Sequence, residues 1–356
     1  MRARWPGLAA TYVSAVVGAG FASGREAFHF FAAYGGRGLI GAAVAGALFS
    51  ALGALALHRV VSRGHRHGGD LFRDVCGPRL GCLVDHISLL GFLLVLAAVL
   101  SAAGALGRLL FTWPLWLGSA AFTAGLAAAG LGGRRVFVGV NLVATPGLLL
   151  ALLALAVAAA GRGGPPRLAP AGPPFPPWPL AAVLYVGYNL TLAVAGLCAA
   201  IGSPLGARDA ATGGAVGGAL LGILCLAVVT ALLPLSAAGL SDPGHLPLAA
   251  ALADPWWRLL AYPLLLVAAL WTTGSAAAFA LAQRLVPGAP NRAAAVAPLL
   301  ALPAALPGLT WLVGAGYPIL GYAGLPLLGG IALLPWRTGG PHAASRRGTI
   351  GRRRGG

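Results

Sequence analysis

The chain has 356 residues, of which 58% are hydrophobic and only 9% charged, whereas a soluble domain carries roughly 25% charged residues. So few charges leave most of the polypeptide unable to face water, and a polytopic membrane protein is expected. The net charge of +17 is supplied by arginine, with no lysine; because these arginines lie between apolar segments and in the tail, no nucleic-acid partner is expected.

A membrane-spanning helix needs about 20 mostly apolar residues. Ten such segments are predicted, at 7–33, 38–61, 80–109, 113–132, 136–160, 177–201, 209–237, 258–284, 292–307 and 309–335. The first contains "VVGAGFASGREAFHFF" (16–31), in which Gly18, Gly20, Ser23 and Gly24 interrupt the apolar run and Arg25 and Glu26 follow. The glycine spacing is one residue longer than the dinucleotide-binding fingerprint, and no carboxylate follows Glu26 until Asp70. A phosphate-cradling loop is therefore not expected. A helix broken inside the membrane is. An unpaired backbone N–H or C=O in hydrocarbon costs several kcal/mol, so a break survives only where it meets a polar cavity or a ligand. Charged residues within a span are functional by default. Glu26 is expected about six residues beyond the break, either as a proton-coupling carboxylate or gate partner or in a purely structural role, with Arg25 beside it.

Between the second and third segments, "HRVVSRGHRHGGD" holds His58, His65, His67 and Asp70 and reads as a solvated basic loop rather than a metal site. Cys76, Cys82, Cys198 and Cys225 give neither metal-ligand spacing nor a disulfide framework. Asp85 and His86, at the start of the third segment, read either as interfacial residues in water or as members of a gate with a loop arginine. The connector 161–176 is too rich in proline to be regular helix. In the sixth segment, "LYVGYNLTLAVAG" places Gly187, Tyr188 and Asn189 at a depth matching the first break. Paired, glycine-interrupted helices at corresponding positions in two halves point to a transporter's binding site. The stretch 240–258 is too short and broken to span; its Trp256–Trp257 pair suits a short interfacial helix over the outer mouth. In "AALWTTGSAAA" of the eighth segment, Ala269, Thr272 and Thr273 stand at i, i+3 and i+4 and share one helical face.

The chain thus reads as an all-α polytopic membrane protein in a 5 + 5 inverted repeat with the first and sixth helices broken at the midplane. Residues 1–160 form the first repeat, 161–176 an extracellular connector, 177–336 the second repeat and 337–356 a basic disordered tail. Eighteen arginines fall on the side of both termini and five on the other. By the positive-inside rule both termini are cytoplasmic, in the plasma membrane.

"ATYVSAVVGAGFASGREAFHFF", followed after the connector by "LYVGYNL", resembles the YkvI-like membrane permeases. That family belongs to the amino acid–polyamine–organocation superfamily, and the resemblance implies the LeuT fold. Where the family is expected to carry glutamine, this chain has Arg25. The substrate, an amino acid or similar small zwitterion, is expected on Val17, Gly18, Ala19, Gly20, Tyr185, Gly187, Tyr188 and Asn189. Backbone N–H groups near Gly20 would hold its carboxylate and carbonyls near Tyr185 its ammonium group. The resemblance further implies a sodium site made by Ser14 and Val17 with Ala269, Thr272 and Thr273; proton coupling through Glu26 is the rival. No other cofactor and no enzymatic activity are expected, since serines, histidines and carboxylates are few and lie at mismatched depths. The partners are a small solute and the lipid bilayer, and the oligomeric state is open. The alternative to a cation-coupled secondary transporter is a transporter-shaped receptor that binds a nutrient without moving it.

The topology is testable by labelling. With the four native cysteines replaced by alanine, Arg167→Cys should react with an impermeant maleimide in intact cells; reaction only after permeabilisation would reverse the orientation.

Overall fold

The computed structural model describes residues 5–160, 176–200, 206–237, 246–252, 256–286 and 288–333, with side chains defined outside 133–146, 159–160, 199–200 and Trp257. The connector 161–175 and the tail lie outside the described residues, as do 238–245 and 253–255. The described chain is helical. In order it forms α1 (Trp5–Val16), α2 (Ala19–Ala22), α3 (Arg25–Phe30), α4 (Gly36–Arg63), α5 (Gly68–Phe111), α6 (Leu115–Ala160), α7 (Trp178–Ala200), α8 (Ala207–Ala237), α9 (Pro247–Ala251), α10 (Tyr262–Leu285), α11 (Pro290–Ala301), α12 (Gly308–Trp311) and α13 (Tyr317–Leu333). A π-helical turn, Leu312–Gly316, joins α12 to α13.

Among the described residues seven helices are long and apolar enough to cross a membrane. The other three predicted crossings coincide with the broken α1–α3 segment, with the shorter apolar stretch Gly147–Ala158 of α6, and with α11, which carries Pro298 and runs into a 3-10 turn at Pro303–Ala305. Large apolar side chains such as Leu150, Leu264 and Ile319 point outward, as lipid contact requires.

Lipid is as apolar as leucine, so helices in it associate through close contact of small residues and through interhelical hydrogen bonds. The α4–α8 pair is built that way. Gly46, Ser50 and Gly53 of α4 face Gly222, Gly218 and Gly214 of α8 so closely that a Cβ on Gly46 would lie 2.6 Å from the Gly222 Cα. Ser50 Oγ donates to Ala215 O across the same seam at 2.7 Å. The α7–α13 pair repeats the device, with Gly187 against the Gly321 carbonyl and Gly324 against the Gly187 backbone.

That contact corrects one expectation. Helix α7 runs unbroken through Gly187, Tyr188 and Asn189. Gly187 serves close approach to α13, not chain reversal. Asn189 Nδ2 donates to Tyr185 O (3.0 Å) and Thr191 Oγ1 to Gly187 O (2.7 Å), so the polar side chains bond their own helix and leave its ladder intact.

Two predicted loops are also helical. Residues 68–76, read as part of the 62–79 loop, form the first turns of α5 before a kink at Gly77, whose φ of 81° suits glycine. The predicted fourth and fifth segments are joined in one helix, α6. The basic stretch before α5 is ordered by Asp74, which pairs with Arg59 (3.4 Å), Arg63 (3.6 Å) and His65 (3.3 Å). Within the predicted 240–258 stretch a short helix does form, α9, whose Leu248 N–H donates to Ser23 O at 3.0 Å, but the Trp256–Trp257 pair expected on it lies outside it, at the π-helical turn that leads into α10.

Packing of α4 on α8 generates a stability prediction. Gly218→Leu should destabilise the purified protein by about 1–3 kcal/mol through overpacking against Phe49 and Ser50, whereas Gly196→Leu, with open space around it, should not. Thermal unfolding in detergent checks both; equal melting of the two variants would contradict the seam.

Candidate functional site

The first predicted crossing is broken twice. Its ladder of backbone bonds stops at Val17 N–H to Val13 O (2.8 Å) and resumes at Ala22 N–H to Gly18 O (2.9 Å). Gly18 between them is extended, with φ −106° and ψ −171°. The carbonyls ending α1 and the N–H groups opening α2 therefore lie at the break. The second interruption is a turn. Ser23 Oγ donates to Gly20 O (2.8 Å) and accepts from Arg25 N–H (3.2 Å), while Gly24 is left-handed with φ 80°. A Cβ at Gly24 would also lie 2.8 Å from the Leu248 nitrogen of α9.

This turn moves Glu26 from where the sequence places it. Instead of standing six residues beyond the break, the side chain folds back over it. A Cβ on Gly20 would meet Glu26 Cδ at 2.8 Å and Cγ at 2.9 Å. Glu26 is 4% exposed, and its Oε2 accepts from Tyr188 Oη at 2.6 Å. The chain's own carboxylate thus covers Gly20, where a substrate carboxylate was expected. At four residues, α2 also has too few aligned peptides for a substantial macrodipole. The Tyr185 carbonyl, expected to face an ammonium group, already accepts from Asn189.

An aromatic wall surrounds the carboxylate. Tyr188 lies 4.9 Å from Tyr317 and 5.8 Å from Phe30 between ring centroids, and Tyr185 lies 5.3 Å from Phe30 and 5.7 Å from Tyr188. Tyr185, Tyr188, Phe30 and Tyr317 are all buried. His29 contacts the π-turn, its Cε1 3.8 Å from a Cβ built on Gly314. Arg25, one turn before His29, is buried.

On its other side the break meets α10. A Cβ on Gly18 would lie 3.2 Å from Thr273 Cγ2 and 3.4 Å from its Oγ1. Val17, Ala269 and Thr272 are buried nearby in the core, and Ser14 is half-buried. Thr272 Oγ1 donates to Ala269 O at 3.1 Å, bonding its own helix. Further along, Asp85 of α5 forms an ion pair with Arg284 of α10. Arg284 Nη1 donates to Ser88 Oγ (3.1 Å), whose hydroxyl donates to Asp85 O (2.7 Å). A cavity of about 10 Å³ reaches from Tyr188 and Thr191 to Ser88, about the room one water needs. His86 faces outward and bonds Cys82 O within its own helix. Among the described residues no group of three or more His, Cys, Asp or Glu is placed to hold a metal ion.

Sequence reasoning missed Phe30, Tyr317 and Leu248, and took Ser23 as interrupting the apolar run rather than as the residue that holds the turn. The Ser-Gly dipeptide is a turn signal and could have flagged the reversal; the two aromatic residues carry no mark distinguishing them from core.

No family model matches this chain. Over 103 residues it is 37% identical to the uncharacterized membrane protein YkvI of Bacillus subtilis (strain 168), a match covering 28% of each protein. Solved structures match far more of it. Mhp1, a nucleobase-cation-symport-1 family transporter, aligns in a closed conformation with bromovinylhydantoin bound at TM-score 0.59 and 17% identity, covering 91% of this chain and 76% of Mhp1. A manganese transporter of Eremococcus coleocola aligns at TM-score 0.62 and 15% identity, covering 91% and 77%. The likeness is one of fold. With its apolar helices and its YkvI relative, this chain is a membrane protein sharing the fold of these two transporters.

The overlap of Gly20 with Glu26 is testable. Gly20→Ala should push the Glu26 carboxyl off Tyr188 and cost about 1–3 kcal/mol, the penalty of leaving a buried polar group without its partner. In a Tyr188→Phe background the same substitution should cost clearly less. Additive losses in thermal unfolding would mean that Gly20 and Tyr188 do not share the Glu26 carboxylate.

Proposed function

We propose that this protein is a secondary active transporter of an amino acid or similar small zwitterion, coupled to a cation and working by alternating access. Its ten crossings would form a 5 + 5 inverted repeat in the plasma membrane, with both termini cytoplasmic. The broken first crossing carries the proposal: it touches α10 through Gly18 and Thr273 and α7 through Glu26 and Tyr188. Exposed backbone groups, a buried carboxylate and two neighbouring helices thus converge at one place, in a fold shared with a cation symporter and a manganese transporter.

The site is closed on two sides by polar contacts of modest strength. Leu248 N–H to Ser23 O holds α9 on the turn, and the Asp85–Arg284–Ser88 group joins α5 to α10. Opening one while the other stays shut would expose the Glu26 region to one side of the membrane at a time. Asp85 would act as a gate, and Arg25, on α3 directly after the turn, would move with the α9 closure.

For coupling, sodium would bind between the break and α10, on oxygens of Ser14, Val17, Ala269, Thr272 and Thr273. Hydroxyls and carbonyls suffice for a hard cation without a carboxylate. The contact of Thr273 with Gly18 supports this over a site on one helix alone.

Purified protein in proteoliposomes, offered radiolabelled amino acids, tests both parts. Uptake should accelerate with an inward sodium gradient, and Thr272→Ala or Thr273→Ala should reduce that sodium dependence. Uptake indifferent to sodium but driven by a pH gradient would reject the sodium site and leave Glu26 as the coupling group.

A further inference from the structure

We propose that Glu26 and the tyrosines around it bind the amine of the transported solute, so that a protonated amine, and not a carboxylate, is what the site requires. This rests on the transporter reading above and names the chemical class that the reading leaves broad.

The carboxylate needs a partner that the described chain does not supply. An ionised carboxylate offers about four lone-pair sites, yet among the described residues only Tyr188 Oη reaches Glu26. A carboxylate that is 4% exposed is too costly to keep charged on one hydrogen bond. It must take a proton or meet a cation. A second group nearby is also unsatisfied. Tyr185 Oη is buried and finds no hydrogen-bond partner among the described residues, in a ring 1% exposed and 5.7 Å from that of Tyr188. Two incomplete polar groups inside one aromatic cluster mark the place of an absent ligand.

The chemistry of that ligand follows from what surrounds it. A carboxylate-bearing head would meet the like charge of Glu26 over Gly20. A hard divalent cation such as calcium or magnesium would need six or more oxygen ligands, against one carboxylate and two phenols here. An alkylammonium group suits the set: it donates to Glu26 and Tyr185 Oη, and its charge is favoured against the faces of Tyr188, Tyr317 and Phe30.

Thermal unfolding of the purified full chain tests this. The protein would be incubated separately with the common amino acids, with their decarboxylated amines such as phenethylamine and isoamylamine, and with their deaminated acids such as 3-phenylpropionate and 4-methylpentanoate. At least one amine should stabilise the protein, and none of the acids should. Glu26→Gln should weaken amine binding by tenfold or more. Tyr185→Phe should weaken it severalfold without lowering the unfolding temperature of the ligand-free protein, a result that a purely structural hydroxyl would not give. Stabilisation by the acids, no stabilisation by any amine, or unchanged amine binding in both variants would overturn the proposal. If Glu26→Gln does not fold, Tyr185→Phe alone decides. Proteoliposome uptake separates the two failures: gradient-driven uptake that tolerates both substitutions would sink the amine site and keep the transporter, whereas Glu26-dependent amine binding without uptake would do the reverse.

Discussion

The hydrogen bond between Glu26 and Tyr188 is the contact around which the central part of this protein is arranged. It joins the broken first crossing to the intact α7 across 162 positions of sequence. It forms because the chain reverses at Ser23–Gly24, and the reversal is possible because Gly24 adopts φ 80° and Gly20 has no side chain. α9 is seated on the same turn through Leu248. A carboxylate placed there without a hydrogen bond would cost several kcal/mol in a membrane interior, so the turn, the glycine and the tyrosine stand or fall together.

Around this centre the helices are held in two physically different ways. The α4–α8 and α7–α13 seams use glycine-to-backbone contact, where gaps are absent and any shift creates either overlap or a void. The α5–α10 contact at Asp85 and Arg284 and the α9 contact at Ser23 are polar and local. Water can replace them as they open, so their loss is far cheaper than the loss of a glycine seam. A bundle with stiff pairs and exchangeable polar closures is suited to moving one pair against another around a fixed point.

The Asp74 cluster belongs to the first kind in effect, though it is ionic. Three basic side chains from α4 and the following turn converge on one carboxylate at the start of α5, fixing a stretch that composition alone assigns to solvated loop. His65 is thus one of the groups on Asp74 that order the α4–α5 connection.

The amino-acid sequence by itself determined that the chain crosses a membrane, because 9% charge cannot cover a soluble surface. It also determined that the first crossing is interrupted near Gly18 and Gly24 and that a short helix precedes the eighth predicted segment, since glycine clusters and broken apolar runs act locally. Tertiary structure decided the rest. Gly187 could signal a break or a close approach, and only Gly321 and Gly324, more than 130 positions away, settle that it is an approach. The position of Glu26 depended on one dihedral at Gly24, which no periodicity encodes. Its partner Tyr188 comes from α7, and Tyr317, which packs on Tyr188, comes from α13. Local pattern fixes the course of the backbone over a turn or two; which side chains then meet is decided by packing between segments far apart in the chain.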